Sequence, residues 1–153
     1  QHLGSVVAET LGRELILWPG YCPTHARINP KDILDLKAAH PQALALAHPE
    51  CPKPVRVVAD HVLSTGQMCK FVAENPATEF IISTEEGLIH RLKKDNPSKT
   101  FYRVSPFAVC PNMKRNTLEK VLFCLRDLQP VVKVDPAIAA RARRSIEQML
   151  AWS

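Results

Sequence analysis

Phe80-Ile81-Ile82-Ser83-Thr84-Glu85-Glu86-Gly87-Leu88-Ile89 decides the fold. Three large apolar residues in succession suit a strand covered on both faces. The next four repeat a helix-starting, capping-type pattern, and Leu88, Ile89 and Leu92 give the helix that follows one apolar stripe. A strand turning directly into a helix is half of a parallel crossover, and the pattern recurs on both sides. Upstream, Ala43–Ala47 predicts a strand running into His48-Pro49-Glu50-Cys51, followed by a short helix over 54–59 and a brief strand at His61-Val62-Leu63. Ser64 and Gln67 have capping-box spacing ahead of Met68, Phe71 and Val72. Downstream, Asn96-Pro97 ends the helix, and Phe101–Val104 predicts another strand.

The flanks extend this alternation. Val6–Leu11 reads as the end of a helix closed by Gly12, and Glu14–Trp18 as a short buried strand. Asn29-Pro30 supplies an N-cap and a first-turn proline for a helix reaching about Ala39. Beyond Cys110, Asn116 and Glu119 form a capping-type pair before the stripe Leu118, Val121, Leu122, Leu125 and Leu128. Val131–Val134 predicts a final strand. Asp135-Pro136 caps a last helix expected to pack through Ile138, Ile146, Met149 and Leu150. Short strands alternating with helices specify an α/β architecture with parallel sheet.

Bulk properties bound the function. At 153 residues the chain can bury one ordinary core, as one domain or parts of two. No apolar run approaches the ~20 residues of a membrane span, and no basic leader is visible. The missing initiator Met and the helix-like opening predict a fragment lacking its N-terminal part. Five cysteines, an odd number without framework spacing, disfavour a secreted disulfide scaffold and fit a reducing cytoplasm. The net charge of +5 is spread along the chain, as on a solvated surface. With two Tyr and two Trp and no stacking motif, nucleic acid is not an expected partner, nor is a membrane.

The chemistry-bearing residues follow the predicted strands: Tyr21 and Cys22, His48 and Glu50, Ser64 and Thr65, Thr84 and Glu85, then Cys110. Ligands of open α/β sheets bind outside the carboxyl ends of strands, where helix N-termini also point. Polar helix caps occupy the same loops, so a Ser, Thr or Glu there has two readings. Cys110, at a strand-to-helix loop with Lys114 nearby, is either an activated thiolate or a small buried hydrophobe. Cys22 and His25 have a CxxH spacing, a weak zinc signal without a CxxC pair. Cys69 and Cys124 fall within helices and read as packing; Cys51 is ambiguous. His48 and Glu50 flank a stiffening proline and suit either proton transfer or a solvated turn. His25, His40, His61 and His90 have no comparable company and read as surface or packing residues.

Trp18-Pro19-Gly20-Tyr21-Cys22-Pro23-Thr24-His25, His48-Pro49-Glu50-Cys51-Pro52, Ser64-Thr65-Gly66, Ser83-Thr84-Glu85-Glu86-Gly87-Leu88-Ile89-His90-Arg91 and Cys110-Pro111-Asn112-Met113-Lys114 together resemble the quinolinate synthase (NadA) family, nearly end to end. The resemblance implies three similar αβα units with short parallel sheets in a pseudo-threefold arrangement, about half of which is present. The expected boundaries are 1–22 for the end of the second unit, 23–110 for the third, and 111–153 for a C-terminal helix-strand-helix segment. It implies a [4Fe-4S] cluster at the centre, with Cys22 and Cys110 as two ligands and a third upstream of Gln1. Cys51 is not an implied ligand, because family members can carry Ser there. Three thiolates leave one iron open as a Lewis acid.

The implied reaction condenses iminoaspartate with dihydroxyacetone phosphate to quinolinate, in de novo NAD biosynthesis. Iminoaspartate would come from L-aspartate oxidase or aspartate dehydrogenase. Glu50 is the implied acid/base and His48 the group orienting substrate. Ser64 and Thr65 would hold a carboxylate or phosphate, and Lys114, beside Met113, an anionic group. The chain departs from the family at Leu63 and Ser83, where Gly is usual, and at Ala108-Val109, where some bacterial members have a CxxC. A redox switch of that type is not expected. The isolated chain is expected to be inactive. The rival reading is a Rossmann-like module that binds a phosphorylated or dicarboxylate ligand without catalysis; a zinc-bound structural domain is a more distant one.

Overall fold

A computed structural model describes residues 1–152. The chain forms two compact units, one from Gln1 to Pro111 and one from Asn112 onward. In the first unit α1 (His2–Leu11) is followed by α2 (Pro30–Ala39), β1 (Leu44–Ala47), α3 (Lys53–Val58), β2 (His61–Val62), α4 (Thr65–Glu74), β3 (Glu79–Ser83), α5 (Gly87–Asp95) and β4 (Thr100–Arg103). The strands form one parallel sheet in the order β2-β1-β3-β4. The α/β class read from the alternation of strands and helices is the class observed.

Residue size along the strands sorts the helices between the faces. Successive side chains of a strand point to opposite faces. Ala45, Ala47 and Ile81 therefore share one face with Ile33 of α2 and Val55 of α3, in a core that also holds Val104 and Ala108. Leu46, Phe80 and Ile82 face the other way, against Met68 and Val72 of α4, Leu92 of α5 and Phe101. The result is a three-layer αβα unit. Full burial of a side chain such as Leu46 or Met68 contributes about 1.5–3 kcal/mol.

Local signals hold where they were expected. Asn29 Oδ1 accepts from the Lys31 amide at 2.9 Å to start α2. Ser64 and Gln67 form a reciprocal capping box on α4. Gly12, at φ 61°, closes α1 in the left-handed region that favours glycine. Two caps differ from expectation. Ser83 belongs to β3, and the amide of Gly87 at the start of α5 is instead held by Glu85 Oε2 at 2.7 Å. Thr117, not Asn116, caps α6 (Leu118–Asp127), its Oγ1 accepting from Lys120 N.

Two predicted strands do not form. Residues 14–18 join no ladder, and Ile16 and Trp18 are 107% and 81% exposed. A strand requires a neighbour as well as an apolar sequence, and none pairs with this stretch among the described residues. Leu17 instead lies against α1, where a Cβ on Gly4 would meet its Cδ2 at 2.5 Å. Residues 131–134 in the second unit are likewise outside any strand, with Val131, Val132 and Val134 exposed.

The second unit contains α6 and α7 (Pro136–Ala151), the latter started by Asp135 Oδ1 accepting from the Ala137 and Ile138 amides. Ile138, Ile146, Met149 and Leu150, expected to pack, stand exposed, as does Cys124. An amphipathic period supplies an apolar face without supplying what covers it. Among the described residues no helix is long and apolar enough to cross a membrane.

Candidate active site at the carboxyl edge of the sheet

Strand register builds the site. Ala47 pairs with both Val62 and Ser83, so β2, β1 and β3 end level. The residues just beyond the strands, Ser64-Thr65 after β2, His48 after β1 and Thr84 after β3, therefore leave the sheet at one edge. The His48 amide extends the ladder by donating to the Ser83 carbonyl at 3.1 Å.

The turn after β1 is tight. The Cys51 amide donates to the His48 carbonyl at 2.9 Å, and the Glu50 amide donates to His48 Nδ1 at 3.2 Å. With Nδ1 accepting, the proton of the neutral ring sits on Nε2. Cys51 is fully buried, and its Sγ donates to the Ser83 carbonyl at 3.4 Å. Burial pushes its thiol up to about 12. Cys51 thus remains a protonated packing residue, which resolves its ambiguity.

His25 contradicts its reading as a residue without company. The loop after Tyr21-Cys22 tightens into a 3₁₀ turn over His25–Arg27, with the Ala26 amide donating to the Cys22 carbonyl at 3.0 Å. This carries His25 inward until it is only 7% exposed. Its Nε2 lies 2.9 Å from Thr84 Oγ1, its ring stacks on His48 with centroids 4.6 Å apart, and its Nδ1 lies 3.4 Å from Glu50 Oε2. Burial holds the His25 ring below the ordinary imidazole value; the His48 ring reinforces this, against the carboxylates of Glu50 and Glu85. Burial likewise lowers His48 against the pull of Glu50. Both rings are neutral at pH 7.

His40 also has partners, stacking on Tyr102 at 3.8 Å with Nδ1 3.9 Å from Glu79, and His61 packs against Phe71. These contacts are at or near the protein surface, as expected for surface or packing histidines.

The two cysteine loops are tied to adjacent residues. Thr84 holds His25 in the Cys22 loop, and Glu85 Oε1 accepts from the Cys110 amide at 3.2 Å. Glu85 Oε2 takes Gly87 N, and Glu86 N donates to the Ala108 carbonyl. Thr84-Glu85 therefore anchors both loops at the end of β3, with Cys22 and Cys110 each half-buried. Cys22, Glu50, Gly20, Tyr21 and the first residues of α1 line a cavity of about 340 Å³. Donor atoms of Cys22, His25 and Glu50 lie within 4.8 Å of one another, a set able to hold a metal.

Other expected residues stand differently. Ser64 Oγ accepts from the Gln67 amide at 3.4 Å in the cap, and Thr65 is exposed at the first turn of α4. Neither shares a described hydrogen bond with Cys22, His25, His48 or Glu50. Lys114 lies in the 3₁₀ turn Met113–Arg115 of the second unit. Arg56 carried no sequence signal. It is buried beneath the turn, with Nη1 donating to the carbonyls of Cys51 at 3.4 Å and His2 at 3.3 Å. It thereby ties α1 to the site wall.

The family described as Quinolinate synthetase A protein (NadA) matches residues 1–151. A quinolinate synthase of Dehalococcoides mccartyi (strain CBDB1) is 48% identical over 150 residues, covering 98% of this chain and 50% of that protein. One from Geotalea uraniireducens (strain Rf4) is 46% identical over 151 residues, covering 99% and 50%. Quinolinate synthase 1 of Methanosarcina acetivorans is 46% identical over the same span, again 99% and 50%. The chain spans about half the length of these curated relatives.

Proposed function

We propose that this chain, which belongs to the quinolinate synthetase A family, is part of a quinolinate synthase that condenses iminoaspartate with dihydroxyacetone phosphate. The observation that carries this reading is the level ending of β1 and β3, which sets Glu50 and the His25–His48 stack beside Cys22.

Two half-buried cysteines stand on loops anchored to neighbouring residues, and thiolates are the usual ligands of iron–sulfur clusters. They fit, and Cys22 and Cys110 would hold a [4Fe-4S] cluster together with a ligand from the remainder of the whole protein. When bound, that group supplies an open iron as a Lewis acid.

The chain's own residues then have separate tasks. Glu50, partly open to the cavity with its side chain 38% exposed, moves protons to and from the substrate. His48, neutral and with Nδ1 occupied by the Glu50 amide, offers Nε2–H to a substrate oxygen. His25, held to Thr84 and stacked on His48, forms the buried wall beside Glu50. Thr65 and the amides at the start of α4 take a carboxylate or phosphate, with Ser64 setting the cap, and Lys114 takes an anionic group. L-Aspartate oxidase or aspartate dehydrogenase supplies iminoaspartate, in the cytoplasm.

Quinolinate formation from the two substrates by the complete protein tests the proposal. Glu50→Gln is expected to retain the cluster absorbance and lose turnover by about 10²–10⁴-fold, the usual range for a general acid/base. Wild-type turnover in Glu50→Gln would reject the role.

A further inference from the structure

We propose that Cys22, His25 and Glu50 form a site for a single zinc ion, filled without Cys110. The site rests on local geometry rather than on the proposed activity. Because it shares Cys22 with the proposed cluster, the two occupancies exclude each other.

The donor set comes first. One sulfur, one imidazole nitrogen and one carboxylate oxygen lie within 4.8 Å of each other. Zinc takes such mixed ligands at about 2.0–2.3 Å, whereas magnesium and calcium prefer oxygen alone. His25 Nδ1 and Glu50 Oε2, 3.4 Å apart, already stand near tetrahedral ligand spacing, so closing the triangle is a matter of drawing them and Cys22 together.

His25 supplies the independent observation. Among the described residues its buried Nδ1 has no hydrogen-bond partner, although it faces Glu50 Oε2 at 3.4 Å. A buried polar nitrogen without a partner is costly and calls for a reason. Thr84 Oγ1 lies 2.9 Å from Nε2; in the metal-bound form it would accept the Nε2 proton, with the Nδ1 lone pair on the Cys22–Glu50 side. Metal-binding histidines characteristically have such an outer partner. Burial also keeps the ring neutral, the form that ligates. The cavity beside Cys22 and Glu50 leaves room for water as a fourth ligand. On binding, the Cys22 thiol releases its proton to solvent.

The test is titration of the reduced, cluster-free complete protein with Zn²⁺, then with Co²⁺ to read the thiolate-to-metal charge-transfer band. We expect that band to disappear in Cys22→Ser and persist in Cys110→Ser. Zinc affinity should fall at least tenfold in Glu50→Gln, which alters a partly exposed side chain, and about 10–100-fold in Thr84→Val, which removes the outer partner. Circular dichroism of each variant identifies any that fails to fold. No zinc binding by the wild-type protein overturns the proposal. So does a band that survives Cys22→Ser, or binding unchanged in a folded Glu50→Gln. Loss in Cys110→Ser also overturns it, since the ion would then bridge the two cysteines. The cluster reading is decided separately, because it alone requires Cys110.

Discussion

The two ends of β3 carry the same kinds of residue in different surroundings. At its start, His40 stacks on Tyr102 at 3.8 Å with Nδ1 3.9 Å from Glu79, and Tyr102 donates to Glu79 at 2.9 Å. Just past its end, His25 stacks on His48 at 4.6 Å with Nδ1 3.4 Å from Glu50. Each end thus joins an imidazole to an aromatic ring and a carboxylate. Burial separates them: the His40 side chain is about one-third open to solvent, whereas His25 is enclosed. Water screens the first cluster and makes its contacts individually weak. At the second, polar groups depend on each other, and their protonation is set by the protein.

The largest expected separation is in catalysis. In the complete protein, His48→Gln should lower quinolinate formation about 10²-fold or more, while His40→Gln leaves it within twofold. Equal losses from both substitutions would erase the functional distinction between the ends.

Stability gives the next contrast. Thr84→Val removes the partner of a buried His25 nitrogen and should cost about 1–3 kcal/mol in denaturant unfolding. Tyr102→Phe removes a bond at the solvated end and should move the midpoint by less. A larger loss from Tyr102→Phe would invert the ranking by burial.

The smallest effect is a pH slope. The folded-state values of His25 and His48 lie below the ordinary 6.5, so the unfolded chain binds more protons as pH falls through that value. Their contribution to stability is present above about pH 6.5 and is lost as pH falls towards the depressed folded values. His48→Gln should flatten that part of the profile, and His40→Gln should leave it in place. An unchanged slope in His48→Gln would remove burial as the cause.

Features written in neighbouring residues were legible from sequence. The caps at Asn29, Ser64 and Asp135 each close a bond within three residues, and the β1 and β3 runs lie where their apolar character placed them. Residues 14–18 and 131–134 have comparable apolarity but, among the described residues, no strand pairs with them, and pairing is not a local property. The company of His25 escapes local reading for the same reason: its hydrogen-bond partner Thr84 is 59 positions away. Its CxxH spacing from Cys22 was the one local trace. Ser83-Thr84-Glu85 carries a helix-cap pattern, yet Thr84 holds the Cys22 loop, and Glu85 holds the Cys110 loop as well as the first amide of α5. The level ends of β2, β1 and β3, which turn scattered polar residues into one edge, are a matter of register.

Under the proposed function, Cys22 and Cys110 would serve one iron–sulfur cluster from the two loops that Thr84 and Glu85 anchor. Anaerobic reconstitution of the complete protein with iron and sulfide, followed by visible absorbance, tests it most directly. A broad cluster band is expected in the wild type, and its loss in Cys22→Ala and in Cys110→Ala. Wild-type cluster content in both variants would contradict it.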